Sequence, residues 1–221
     1  MENQGTHIDR LRVGRSNYAM TLIIYGSPRS RTMRVLWAAA ELGVDYEHVP
    51  LDADDPALRQ MAFLQINPAG TIPAIVDDGF ALSESLAINL YLAKKYGSDG
   101  TAALYPSDAR CEAEVWRWTL WAQAHLEPWV QQDTRLAALR SAIGEQARAA
   151  VGLALGLLDR VLAERRWLVG AQFTVGDLNV AAVLSPSRVQ VLDMTPYPHV
   201  DAWLRRCYGR PAAVATRERF G

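Results

Sequence analysis

The chain has 221 residues, 50% hydrophobic and 21% charged, and its 23 basic and 24 acidic side chains leave a net charge of −1. That balance excludes fibrous and wholly disordered classes and gives no pull toward nucleic acid or an anionic membrane surface. Arg, Asp, Glu or Gly interrupts every apolar run before the ~18–20 residues a spanning helix needs, so no membrane crossing is expected. Two cysteines, Cys111 and Cys207, and four scattered histidines, His7, His48, His125 and His199, form neither a disulfide framework nor a metal-ligand spacing. No metal and a reducing, cytoplasmic location are the expectation.

Residues 1–19 are polar, lack the apolar core of a secretory signal and read as a flexible extension. A short β-rich run at 21–25 ends at the turn signal Gly26-Ser27-Pro28, and a helix is expected from about Ser30 to Leu42, closed by Gly43. Residues 46–51 alternate as a second strand, after which Pro56 opens an amphipathic segment over 57–66. The economical arrangement is βαβα with parallel strands. Residues 72–76 and 80–82 flank the hairpin signal Asp77-Asp78-Gly79, and Ser83 is placed to cap a helix running to Tyr96.

Composition then changes. A linker is expected at 99–107, beyond which only helical periodicity occurs, near 108–135, 141–165, 175–190 and 199–208, with Ser107, Ser141 and Thr174 as starts. The expected organisation is a small α/β domain at 20–98 followed by an all-α domain at 108–221.

Three stretches carry candidate chemistry. Pro73 stands at a strand entrance, where it cannot donate to a sheet ladder. It is either a trans edge proline, or a cis one that leaves the Ile72 N–H and C=O facing outward for an extended ligand. Glu84 and Ser85 fall in the expected first helical turn, where unpaired N–H groups and the dipole favour a carboxylate; a purely structural cap is the competing reading. Residues 25–35 hold Ser27, Arg29, Ser30 and Thr32 but no cysteine, and Ser30 serves as N-cap or as a hydroxyl donor. Trp116, Trp118, Trp121, His125 and Trp129 crowd one helix, mostly at core spacing, and Thr174 with Asp177 reads as a structural capping box.

Taken in order, Asn67-Pro68-x-Gly70-x-Ile72-Pro73, Leu82-x-Glu84-Ser85-x-Ala87-Ile88, Tyr91-Leu92, Phe173-Thr174-x-x-Asp177 and Tyr197-Pro198-His199-x-x-x-Trp203-Leu204 resemble the glutathione S-transferase family, from Met20 onward. The resemblance implies a thioredoxin-like domain followed by a helical domain, the glutathione transferase fold, with glutathione as co-substrate. It implies that Ser85 holds the γ-glutamyl α-carboxylate, Glu84 the neighbouring ammonium, and the Ile72 backbone beside Pro73 the cysteinyl part. The family often has Arg after the Glu-Ser pair and Lys in the Asn-Pro turn. Here Leu86 and Ala69 stand there, which leaves Arg29, Arg31 or Arg34 for the glycyl carboxylate. Ser30 is expected to stabilise the thiolate, while a gapless alignment on Arg34-Val35 favours Arg29, and Ser27 and Thr32 stay open. The expected activity is conjugation of glutathione to a small hydrophobic electrophile by a homodimer. The alternatives are a glutathione-dependent isomerase or dehalogenase, and a non-catalytic binding or regulatory protein of the same fold.

Overall fold

A computed structural model of the chain describes residues 22–97, 103–130, 140–185 and 192–221. The chain divides into two compact units, Met1–Leu92 with Ala215–Gly221, and Ala93–Val214. The expected extension at 1–19 and residues 99–102 of the linker lie outside the described residues.

In the first unit β1 (Leu22–Tyr25) leads through α1 (Thr32–Leu42) to β2 (Tyr46–Val49), and β3 (Ala74–Asp77) turns into β4 (Phe80–Ser83) before α3 (Ser85–Tyr96). The sheet order is β2-β1-β3-β4. β1 and β2 are parallel, with Ile24 opposite His48, and a helix makes that crossover. β1 with β3, and β3 with β4, are antiparallel. The hairpin turn holds Asp78 and Gly79 at φ 51° and 84°, the two positive values that a two-residue turn matching strand twist requires. Tyr25, Val49, Leu51, Leu58, Phe63 and Ala74 form one buried cluster under the sheet.

Four local expectations are corrected. α1 starts at Thr32, two residues beyond Ser30. The segment after Pro56 is two pieces, a 3-10 turn at Pro56–Arg59 and α2 (Met61–Leu64), because Gln60 between them is extended at φ −80° and ψ 147°. Ile72 and Pro73 precede β3 instead of opening it. Ser83 pairs with Ala74 as the last residue of β4 and caps nothing.

The second unit is helical: α4 (Ala109–Trp121) passes through a π-helical turn at Ala122–Leu126 into α5 (Glu127–Val130), and α6 (Arg140–Glu164), α7 (Val175–Leu184) and α8 (Pro198–Tyr208) follow. Asp108, not Ser107, caps α4 by accepting from the Arg110 and Cys111 N–H groups. The expected helical stretches 131–135 and 186–190 lie outside the described residues. α9 (Pro211–Phe220) was not anticipated, although Gly209 followed by Pro211 is a stop-and-start signal. No described helix is long and apolar enough to cross a membrane.

Asp177, fully buried, organises this unit. Its Oδ1 accepts from the Leu168 N–H at 2.8 Å and Trp203 Nε1–H at 2.9 Å, and its Oδ2 from the Thr174 N–H at 3.1 Å and Thr174 hydroxyl at 3.2 Å. Thr174 and Asp177 thus complete a capping box on α7 while tying it to α8. Burial outweighs these donors and pushes the carboxyl up to about 6.

Candidate active site

The site is built around Gly26, where β1 ends. Its N–H donates to the Val49 carbonyl at 2.9 Å, and the next N–H, of Ser27, donates to the Leu51 carbonyl at 2.6 Å, so the turn is fastened to the chain leaving β2. Gly26 has φ 129°, and a Cβ there would overlap Thr32 Oγ1 and stand 2.9 Å from Ile72 Cβ. A missing side chain is what lets the Ser30–Thr32 turn and the Ile72-Pro73 segment meet.

In that turn the Ser30 hydroxyl donates to the Ser27 carbonyl at 2.7 Å. Having only one proton, it therefore accepts from the Thr32 hydroxyl at 2.8 Å, and it also accepts the Thr32 N–H at 3.1 Å. Ser30 thus satisfies the first N–H of α1 from outside the helix. Thr32 is fully buried and Ser27 nearly so, Ser30 is half-buried, and Arg29 and Arg31 are exposed. The Arg29 N–H lies 3.4 Å from Ser27 Oγ. Tyr25 is buried edge-on against Phe63, and burial first, then the Glu47 charge, raises its phenol. This sets Tyr25 in the core and leaves the turn hydroxyls as the polar groups near Ile72.

The Ile72-Pro73 bond is cis. Asn67, buried, shapes the preceding turn: its Nδ2 donates to the Thr71 carbonyl at 2.8 Å and its Oδ1 accepts from the Ala69 N–H. Neither backbone group of Ile72 has a hydrogen-bond partner among the described residues.

Glu84 is exposed and lies just before α3 with φ 71°, a left-handed conformation that a non-glycine residue holds at a cost of about 1–3 kcal/mol. Both Glu84 and Ser85 were expected inside the first turn; only Ser85 is. Ser85 is buried, and its Oγ accepts from Arg34 Nη1 at 3.4 Å. Arg34, considered above for the glycyl carboxylate, is itself buried and points to the Ser85 end instead. Its contact with Ser85 joins residues 51 positions apart, which no local sequence pattern reveals.

In the second unit only Trp118 of the aromatic group is fully buried. It stacks edge-on with Trp121 at 5.2 Å, and Trp121 lies 6.3 Å from His125, whereas Trp116 is exposed. Among the described residues no three His, Cys, Asp or Glu side chains gather to hold a metal ion.

Comparison with known proteins gives the same pattern on a larger scale. Residues 20–94 match the family model described as the glutathione S-transferase N-terminal domain, and residues 120–211 match its C-terminal domain. Glutathione S-transferase 3 of Zea mays is 35% identical over 209 residues, covering 88% of this chain and 92% of its own. A glutathione S-transferase structure from Pseudomonas fluorescens Pf-5 superposes with a TM-score of 0.76 at 27% identity, over 86% of this chain and 96% of that one. Ure2p in complex with glutathione superposes with a TM-score of 0.81 at 22% identity, over 91% and 94%, a likeness of fold. With both of its halves matched in order and the Ile72-Pro73 and Glu84-Ser85 elements in place, the chain belongs to the glutathione S-transferase family.

Proposed function

We propose that the chain is a glutathione transferase, cytosolic and homodimeric, that activates the thiol of glutathione for addition to, or substitution on, a hydrophobic electrophile. The observation that carries this reading is the approach at Gly26 of the Ser30–Thr32 turn to Ile72, whose two backbone groups are open to an extended ligand. Ile72 N–H and C=O pair with the cysteinyl residue of glutathione. Ser85, at the start of α3, takes the γ-glutamyl carboxylate with the helix dipole and buried Arg34 in support, and Glu84 takes the ammonium. Exposed Arg29 is the cation assigned to the glycyl carboxylate.

Ser30 is the hydroxyl assigned to sulfur. Two donors from Thr32 enter its oxygen, which polarises its O–H, and rotation about the Cβ–Oγ bond turns that proton from the Ser27 carbonyl to the thiolate. Lowering a thiol from near 8.5 to below neutrality takes about 2 units, or roughly 2.7 kcal/mol. One charge-assisted hydrogen bond supplies about 1.5–3 kcal/mol, enough for most of it. Ser30→Ala will raise the apparent pKa of bound glutathione by about 1–2 units with little change in affinity. Thiolate ultraviolet absorbance against pH is the measurement, and an unmoved curve removes Ser30 from the role.

Glu84→Gly separates binding from folding. Relief of the left-handed strain offsets the extra freedom of an unfolded glycine, so stability will stay within about 1 kcal/mol of the parent. Glutathione affinity will fall about tenfold or more as the ammonium loses its partner. Calorimetric titration beside urea unfolding reads both; equal affinity would refute the assignment.

The homodimer is supported by large apolar side chains left in water, Met61 at 71% and Leu153 at 79% exposure among them. Light scattering at micromolar protein is expected to return twice the 24.5 kDa of one chain.

A further inference from the structure

The Gly26–Ser27 peptide is tied at both ends. Its N–H, from Ser27, donates to the Leu51 carbonyl at 2.6 Å, and its C=O, from Gly26, lies 2.8 Å from His48 Nε2. A carbonyl only accepts, so the proton of that bond sits on Nε2 of His48. The ring is in turn held edge-on by Phe220, with centroids 5.4 Å apart and planes at 84°. Ile24 lies opposite His48 in the parallel pairing of β1 and β2, so the imidazole reaches the Gly26 carbonyl two residues further along β1's exit.

One residue beyond this clamped peptide is the Ser27 carbonyl that receives the Ser30 hydroxyl. We infer that His48 is a positioning residue for glutathione activation: Phe220 packs its ring, its Nε2–H fixes the Gly26 carbonyl, and the fixed peptide anchors the Ser27 carbonyl, which also accepts the Ser30 N–H at 3.0 Å and so places the Ser30 side chain whichever way its hydroxyl proton turns. His48 touches neither thiol nor electrophile in this arrangement. Without its N–H the Gly26 carbonyl, in a buried residue, has no donor, the peptide is held only through its Ser27 N–H and can tilt about that bond, and the Ser30 side chain loses its set position. The inference rests on the glutathione-activating role given to Ser30 above.

The test compares His48→Leu, which keeps bulk but removes the donor, His48→Gln, which restores an amide N–H, and Phe220→Ala, which keeps the donor but frees the ring. Conjugation kcat of the Leu variant is expected to fall about tenfold with the KM for glutathione within about twofold, and its bound thiolate absorbance at neutral pH is expected to drop in parallel. The Gln variant is expected to recover most of both, and Phe220→Ala to lie between parent and Leu variant. Circular dichroism melts identify a variant that fails to fold, and the Gln and Phe220→Ala proteins then carry the comparison. Parent-like kcat and thiolate signal in His48→Leu, or a Gln variant as impaired as Leu, overturns the inference while the activity itself stands. A parent protein that binds no glutathione as thiolate overturns the functional reading and this inference with it.

Discussion

Asp177→Ala will destabilise the protein by about 3–5 kcal/mol. The carboxylate is the acceptor for the N–H groups of Leu168 and Thr174 and for the Trp203 indole, all inside the second unit. Alanine leaves these three buried N–H donors, and the Thr174 hydroxyl with them, without their acceptor; each N–H is worth about 1–3 kcal/mol, and local relaxation keeps the sum below the additive limit. Thr174→Ala, which removes one hydroxyl from the same box, will cost only about 0.5–2 kcal/mol. Urea unfolding compares the two, and an Asp177→Ala loss no larger than that of Thr174→Ala would sink the view of Asp177 as the junction of α7 and α8.

The same carboxyl makes stability depend on pH in an uncommon direction. Its folded value of about 6 lies above the ordinary 3.8, so the folded state holds the proton more tightly than the unfolded one. Its contribution is therefore fullest below about pH 4, declines as pH rises through 6, and is level above. The span corresponds to about 3 kcal/mol. Asp177→Asn does not titrate, so the parent's stability relative to that variant is expected to shrink by this amount between pH 4 and pH 7. Other ionisable groups cancel in the difference.

Gly26→Ala will abolish most of the activity, with conjugation down about 100-fold, and lower stability by about 3 kcal/mol. Two penalties combine there. Alanine is strained at φ 129°, and its methyl would overlap Thr32 Oγ1 and press on Ile72. Relieving either contact moves the Ser30 turn away from the open Ile72 backbone. Gly79 is the internal control: it also has positive φ, 84°, but nothing lies within 4 Å of an added Cβ. Gly79→Ala is expected to cost about 1 kcal/mol and leave kcat untouched. Should both variants retain parent activity, the meeting of the two segments at Gly26 is not what makes the site.

What could be read from the chain, and what could not, follows from the range of the interactions involved. β1, the Asp78-Gly79 turn and the capping box at Thr174 are written in residues one to four positions apart, and periodicity and turn chemistry display them. The resemblance also placed Ile72, Glu84 and Ser85 in one unit. Ser83 misled because a serine before a helix suits an N-cap, yet ladder pairing with Ala74 extends β4 through it. The helix entry was displaced onto Glu84, whose left-handed backbone no composition rule suggests. The contact of Arg34 with Ser85 is hidden for a related reason, since it is set by the packing of α1 near α3. His48 looked like one of four scattered histidines because both its partners, Gly26 and Phe220, are distant in sequence.

The edge-on pairing of His48 with Phe220 has a consequence for how the molecule is made. His48 is synthesised about 170 residues before Phe220. At ribosomal rates of about 5–20 residues per second, the strand carrying the imidazole waits roughly 10–30 s for the ring that packs it. The first unit of the fold is thus completed only after the whole of the second has been made.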